Sequence, residues 1–465
     1  MRVGRSAGSA RRGALRWRAR ARAPLWVGLL CAAAAVAAAA APQSDAQLAN
    51  EDRIRALERK VELLSEELER TRSDLAVPES AGELESAHGL GPGASRIYGL
   101  ARGLSIGGYA EGFYSAVVDD ERQSGQSNRA DMLRGVLYAG YKFTDRILWN
   151  MEVEFEHATT EREGAVSLEF AALDFLGMPE LNARIGLVLV PMGFLNEIHE
   201  PPFFYGTHRP DTERRIVPTT WRENGVGLFG RIADQLDYKL FVVNGFDATG
   251  FSAAGLRGGR QDGSEALAEH LAFVGRLDWS VTPELAVGGS VYVGNSGQNQ
   301  DFAGISGQIS IPDTLTTVWE THAQLRSHGL HLRGLLSMAQ LGDAGELSRA
   351  LQPLANGGIG GLAAGEAVAR QMLGGYAEVA YEVLQWLFPQ TGMTLEPFFR
   401  FEYVDTQRDV PSGFSEDRRQ LVRSFTTGLH YQPIRNVVLK LDYRNRRPAR
   451  GALGDEVNVG FGLVF

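Results

Sequence analysis

Between Pro191 and Glu223 the chain reads PMGFLNEIHEPPFFYGTHRPDTERRIVPTTWRE. Four arginines (Arg209, Arg214, Arg215 and Arg222) and two histidines (His199 and His208) stand here beside Asp211, Glu213 and Glu223. Guanidinium groups are planar forks that bind carboxylate or phosphate through two parallel hydrogen bonds, and the segment contains no lysine. Its first half carries Phe194, Phe203, Phe204 and Tyr205, too apolar a set to remain in water. Folding inward would bury those rings and place His199, His208, Arg209, Arg214, Arg215 and Arg222 at a constriction. The other reading is a surface loop held together by its own ion pairs. Covalent catalysis has weaker support. His157 is followed by Ala158-Thr159 with no G-x-S-x-G context, and Glu197-Ile198-His199-Glu200 lacks the further ligands of a metal cluster. No catalytic residue, metal or cofactor is expected.

Such a loop needs a scaffold, and the chain from Leu104 onward supplies a period of two. In Ile147–His157 the residues Ile147, Trp149, Met151, Val153 and Phe155 alternate with Leu148, Asn150, Glu152, Glu154 and Glu156. In the last eleven residues, Val457, Val459, Phe461, Leu463 and Phe465 share one face. Sixteen such segments follow one another: 104–118, 132–143, 146–157, 165–175, 182–190, 224–232, 236–245, 270–280, 284–294, 315–327, 329–340, 371–384, 393–404, 421–432, 436–446 and 455–465. Most have the length that a tilted strand needs to cross a bilayer. The links between them alternate short and long, so all short turns fall on one rim and all long loops on the other. The pattern predicts an all-β fold, a 16-stranded antiparallel transmembrane β-barrel over 102–465. The terminal strand pairs with the first, and the 191–223 segment is the third long loop. The turn at Ser327-His328-Gly329 rests on spacing alone. Tyr109, Tyr138, Tyr141, Phe143, Trp149, Trp279, Trp386, Phe388 and Tyr431 are expected in the interfacial girdles.

The N-terminal part differs. Residues 1–23 hold eight arginines and no acid, and an apolar run follows to Ala41, the pattern of a secretory signal peptide over 1–46. Its removal would take away Cys31, the single cysteine, and move the formal charge from −9 to about −17. An acidic, cysteine-free, exported chain argues against nucleic acid as a partner. Residues 47–76 repeat in heptads, with Ile54, Val61, Leu68 and Leu75 at one core position and Leu57, Leu64 and Thr71 at the other. This predicts a coiled-coil helix, followed by a flexible linker over 77–101.

A barrel of this size encloses an aqueous channel, so the inward faces matter. They are expected to present Arg134, Arg184, Arg276, Arg326 and Arg400 against acids that include Glu152 and Glu154, a near-neutral balance. The segment PMGF…PPFF…R…WRENGVG, with Pro191, Gly193, Phe194, Arg209, Trp221, Arg222, Asn224 and Gly225, resembles the third loop of the phosphate-selective porins (the O and P porins). The resemblance covers about Leu104–Phe465. It implies an outer-membrane homotrimer in lipid bilayer and lipopolysaccharide, inserted by the barrel-assembly machinery with Phe465 as the assembly signal. The coiled coil would then lie in the periplasm. The expected activity is passive diffusion of small ionic solutes, with phosphate as one candidate. A non-specific or cation-preferring porin tethered through its coiled coil fits the same pattern, and an outer-membrane hydrolase fits it least.

Overall fold

A computed structural model describes residues 45–74, 85–118, 125–158, 164–304, 307–355, 362, 365–388 and 390–465. The leader and residues 75–84 lie outside them. Helix α1 (Asp45–Asp74) matches the heptad segment, and up to Arg70 it falls in a unit separate from the rest of the chain. Among its described side chains, Ile54, Leu57, Val61 and Leu64 are all 54–64% exposed. No helix among the described residues is long and apolar enough to cross a membrane.

The remaining unit is a closed antiparallel barrel of sixteen strands. Its strands are β1 (Gly103–Val117), β2 (Arg129–Lys142), β3 (Ile147–Glu156), β4 (Val166–Met178), β5 (Leu181–Leu189), β6 (Arg222–Ala233), β7 (Leu236–Asn244), β8 (Leu271–Ser280) and β9 (Leu285–Asn295). A small hairpin of β10 (Asp301–Gly304) and β11 (Gly307–Ser310) interrupts the series. The barrel resumes with β12 (Leu315–Ser327), β13 (Leu330–Leu341), β14 (Gln371–Tyr381), β15 (Thr394–Asp409), β16 (Leu421–Ile434), β17 (Val437–Pro448) and β18 (Glu456–Val464). All sixteen expected strands are present, and the terminal strand closes on the first, with Tyr109 opposite Val464 and Val117 opposite Glu456. The expected turn at His328-Gly329 also forms. Both residues have positive φ (50° and 81°), the geometry that a two-residue hairpin of matched twist requires.

Burial follows the period of two. Along β3, Leu148, Asn150, Glu152 and Glu154 are buried while Ile147 and Phe155 are exposed. Leu137, Ile185, Val226, Leu240, Phe273, Leu336, Leu441 and Phe461 likewise face outward from their strands. An exterior of this kind is stable only against hydrocarbon, and closure leaves no unpaired strand edge there.

Two expectations require correction. Tyr109 and Tyr138 are not girdle residues: they point inward and are 1% and 4% exposed, whereas Tyr141, Phe143 and Trp279 do face out. Tyr109 shares its β1 face with Glu111, and Tyr138 its β2 face with Arg134, so the strand period itself sets them inward. The expected linker over 77–101 also carries a helix in its described part, residues 85–101. Helix α2 (Pro92–Gly99) packs against β1, β2 and β3, with Leu90, Ala94 and Ile97 buried. Asn150 donates to the Ala94 carbonyl at 2.9 Å, and Lys142 donates to those of Tyr98 and Leu100 at 2.9 and 2.6 Å. The small residues that suggest a linker serve close packing: a Cβ on Gly93 would lie 2.8 Å from the Tyr138 ring.

The long loops and inward-facing strand residues such as Phe241, Val274 and Tyr292 share one buried core. Trp221 is 0% exposed and stacks on Phe246 at 4.4 Å with Tyr292 at 4.9 Å, while its indole N–H donates to Glu223 at 3.1 Å. Trp221→Ala is expected to destabilise the fold by about 3–5 kcal/mol. A lowered guanidinium midpoint for the detergent-solubilised barrel is the measurement that checks it.

Candidate functional site

Residues 190–221 connect β5 to β6 and run through the barrel interior, fastened to strands on every side. Arg276 on β8 donates to the Gly193 carbonyl at 2.6 Å, and Arg400 on β15 donates to that of Tyr205 at 2.6 Å. On β17, Lys440 donates to the Gly206 carbonyl at 3.0 Å, and Asp442 accepts from the Thr207 N–H at 2.7 Å. Glu402 accepts from the Thr212 N–H at 2.6 Å, and Arg444 pairs with Asp211 at 2.7 Å. Burial opposes a charge on Asp211, but Arg444 and Arg214 outweigh it and hold the carboxyl well below its usual range. Glu213 is a knot within this path: it accepts from the Leu195 N–H at 2.7 Å and from the Tyr376 hydroxyl at 2.6 Å. Burial raises its pKa above the ordinary value.

Between this segment and β1–β4, toward the long-loop rim, lies a cavity of about 590 Å³. Seven arginines line it (Arg129, Arg134, Arg209, Arg214, Arg222, Arg257 and Arg260), against the six acids Glu111, Asp131, Glu154, Glu156, Glu169 and Asp262. The arginines are unequally satisfied. Arg134 pairs with Glu111 at 3.0 Å and with Glu154 at 2.9 Å. Arg209 donates to Thr220 at 3.2 Å, but its buried Nε and Nη2 have no partner. Arg222 stands 3.6 Å from Asp262 and 3.9 Å from Glu169, and its Nε is also unpartnered. Arg257 and Arg260 donate to the carbonyls of Thr219 and Thr220. Burial and then Arg260 push Arg257 down to about 9, so it remains charged at neutral pH. His208, edge-on to Phe113 at 5.0 Å, is pushed down to about 4 by burial and Arg444, and is therefore neutral there. Buried guanidinium N–H groups without acceptors, crowded by like charge, favour an oxyanion.

The structure brings together Arg209, Arg214, Arg222, His208, Arg134 and Glu154 from the expected set. It separates the others. Arg215 is not in the cavity: it donates to Ala254 O at 3.2 Å and to Thr406 on β15 at 3.3 Å, tying the segment to an outer loop and to the barrel wall. His199 sits instead with Glu152 and Glu169. Arg184 is held by Asp174 at 2.7 Å beneath Tyr98, and Arg276 by Asp278 at 2.7 Å. Arg400 pairs with Glu378, and Arg326 borders a small recess with His331 and Arg333. Arg257 and Arg260 are residues that sequence reasoning missed. The available signal was the R-G-G-R run in another loop of the same rim. A second chamber of about 540 Å³ adjoins residues 193–198 and includes His88, Lys239 and the short turn at Pro179.

No family model matches the chain. A protein of Aquifex aeolicus (strain VF5), described only as an uncharacterized protein, is 35% identical over 378 residues, covering 80% of this chain and 81% of that one. Two solved structures share the fold: a loop-deletion variant of OmpT, an outer membrane protein of Vibrio cholerae, and OmpF of Salmonella typhi in complex with daunomycin. Each is 10% identical at a TM-score of 0.50. Each alignment covers 78% of this chain, with 100% of the first structure and 98% of the second.

Proposed function

We propose that this chain, which belongs to one family with the Aquifex aeolicus protein, is an outer-membrane porin for the passive diffusion of small hydrophilic anions, phosphate among them. The observation that carries this reading is the arginine-lined cavity, in which Arg209 and Arg222 keep buried N–H groups free. In this reading residues 190–221 form the constriction, and a solute exchanges water for guanidinium forks as it passes them. The near-neutral charge along the strands argues that selectivity is local to the cavity. The resemblance to phosphate-selective porins points to the same solute class, to lipopolysaccharide around the barrel and to insertion by the assembly machinery.

Purified protein in planar bilayers across a KCl gradient tests the proposal. An anion-selective reversal potential, with current reduced by added phosphate, is expected. Silent membranes would remove the channel, and a cation-selective potential without phosphate block would remove the anion claim.

The same proposal takes the protein to be a homotrimer held in part by α1, placed in the periplasm. Support comes from the unpartnered stripe of Ile54, Leu57, Val61 and Leu64, spaced as the core of a coiled coil. Leu57→Asn/Leu64→Asn is expected to lower the trimer fraction, read by cross-linking, without changing single-channel selectivity.

A further inference from the structure

Three buried groups at the edge of the arginine cavity, one of them its lining acid Glu169, converge on one point. Glu152 on β3 and Glu169 on the adjacent β4 face His199 from the interior segment, and none is more than 1% exposed. One donor atom of each lies within 4.8 Å of the others. His199 Nε2 is 3.3 Å from Glu152 Oε1 and 3.2 Å from Glu169 Oε2. Its Nδ1 is 3.2 Å from the Asn196 carbonyl, which can only accept, so Nδ1 carries a proton. In the neutral ring Nε2 therefore presents its lone pair to two carboxylates. Protonating the ring cures this in part, since one N–H serves one acceptor well. Glu152 Oε2 and Glu169 Oε2 still lack hydrogen-bond partners, as does the buried hydroxyl of Tyr109, whose ring stands edge-on to His199 at 5.8 Å.

We propose that Glu152, Glu169 and His199 bind one divalent transition cation. Two carboxylates, a neutral imidazole and a dication sum to zero charge among three side chains that are each at most 1% exposed, with Arg222 standing 3.9 Å from Glu169 on the cavity side. Donors held about 2.0–2.1 Å from a tetrahedral ion stand about 3.3 Å from one another, close to the two separations found here. The backbone carbonyl on Nδ1 is the usual outer partner that fixes a ligating ring. Mixed nitrogen and oxygen donors select zinc, manganese or ferrous iron over calcium or magnesium. The cation would fasten the interior segment to β3 and β4, whichever solute the barrel passes.

His322 shows what an ordinary ion pair looks like in this barrel. Its Nε2 faces Asp278 at 2.9 Å and its Nδ1 faces Glu320 at 2.8 Å, one carboxylate for each nitrogen. At His199 both carboxylates address the same nitrogen.

The test is equilibrium dialysis of the EDTA-stripped, refolded full-length protein against Zn²⁺, with metal content and thermal midpoint as readouts. One zinc per chain and a raised midpoint are expected. His199→Gln and Glu169→Gln are expected to abolish uptake, while His322→Gln retains it. No uptake by the parent protein, or unchanged uptake in folded His199→Gln, overturns the proposal. Should either variant fail to form a heat-modifiable barrel, Co²⁺ in the parent protein decides: visible absorption of a four-coordinate nitrogen–oxygen site supports the proposal, and its absence overturns it.

Discussion

Replacing Arg209 and Arg222 together by glutamine is expected to lower the anion-over-cation permeability ratio about tenfold, the low end of what a charged cleft achieves by focusing counter-ions. Seven arginines face six acids in the cavity, so losing two reverses the sign of its balance. The chosen pair also carries three buried N–H groups without a hydrogen-bond partner, and Arg222 offsets Glu169 and Asp262, which the variant leaves facing the solute path. Glutamine keeps much of the side-chain length and the hydrogen bond to Thr220 remains within reach, so the interior segment should hold its course. Arg214→Gln is the matched control. That side chain is 55% exposed and 3.3 Å from Asp211, a position where solvent screens most of its field. Reversal potentials of the two variants, measured in the same KCl gradient, separate the cases. An unchanged ratio in the double variant would falsify the assignment of selectivity to this cavity.

The barrel was legible in the sequence because a strand with one face in lipid and one in the lumen must alternate, and β3 and β18 do so residue by residue. Alternating link lengths then gave the rims, down to the turn at His328. The interior was legible only in part. That residues 191–223 carry arginines and buried rings follows from composition, but which arginine points where depends on partners up to 235 residues away, such as Thr207 with Asp442. Arg215 sits next to Arg214 and still leaves the cavity, because a single helical turn (α3, Thr212–Arg215) sends neighbouring side chains in different directions. The pairing of His199 with Glu152 and Glu169 was invisible for the same reason: only the fold brings the segment against β3 and β4. Residues 92–99 are not legible as a helix because glycine and proline signal a linker in sequence, yet in this chain they allow a helix to sit tightly against the wall.

Deleting Asp455–Phe465 is expected to abolish the assembled barrel, seen as complete loss of the heat-modifiable band in gel electrophoresis. β18 supplies nine paired positions to β1 and eight to β17, and its removal leaves two open ladders facing hydrocarbon. Each unsatisfied backbone group there costs several kcal/mol, far beyond any side-chain compensation. Phe465→Ala separates that ladder from the side chain. The Phe465 N–H donates to Gly108 O at 2.8 Å and its carbonyl accepts from Gly108 N–H at 3.0 Å, and both bonds survive the substitution. The ring itself is 48% exposed at the short-turn rim, against Gly108, where a Cβ would lie 2.9 Å from it. Barrels that do form should therefore melt within a few degrees of the parent protein. If Phe465 serves as an assembly signal, their yield in the outer membrane falls several-fold while refolding from urea into detergent is unaffected. Equal losses in both settings would mean that the ring acts in folding, through its packing on β1, and is not read during insertion.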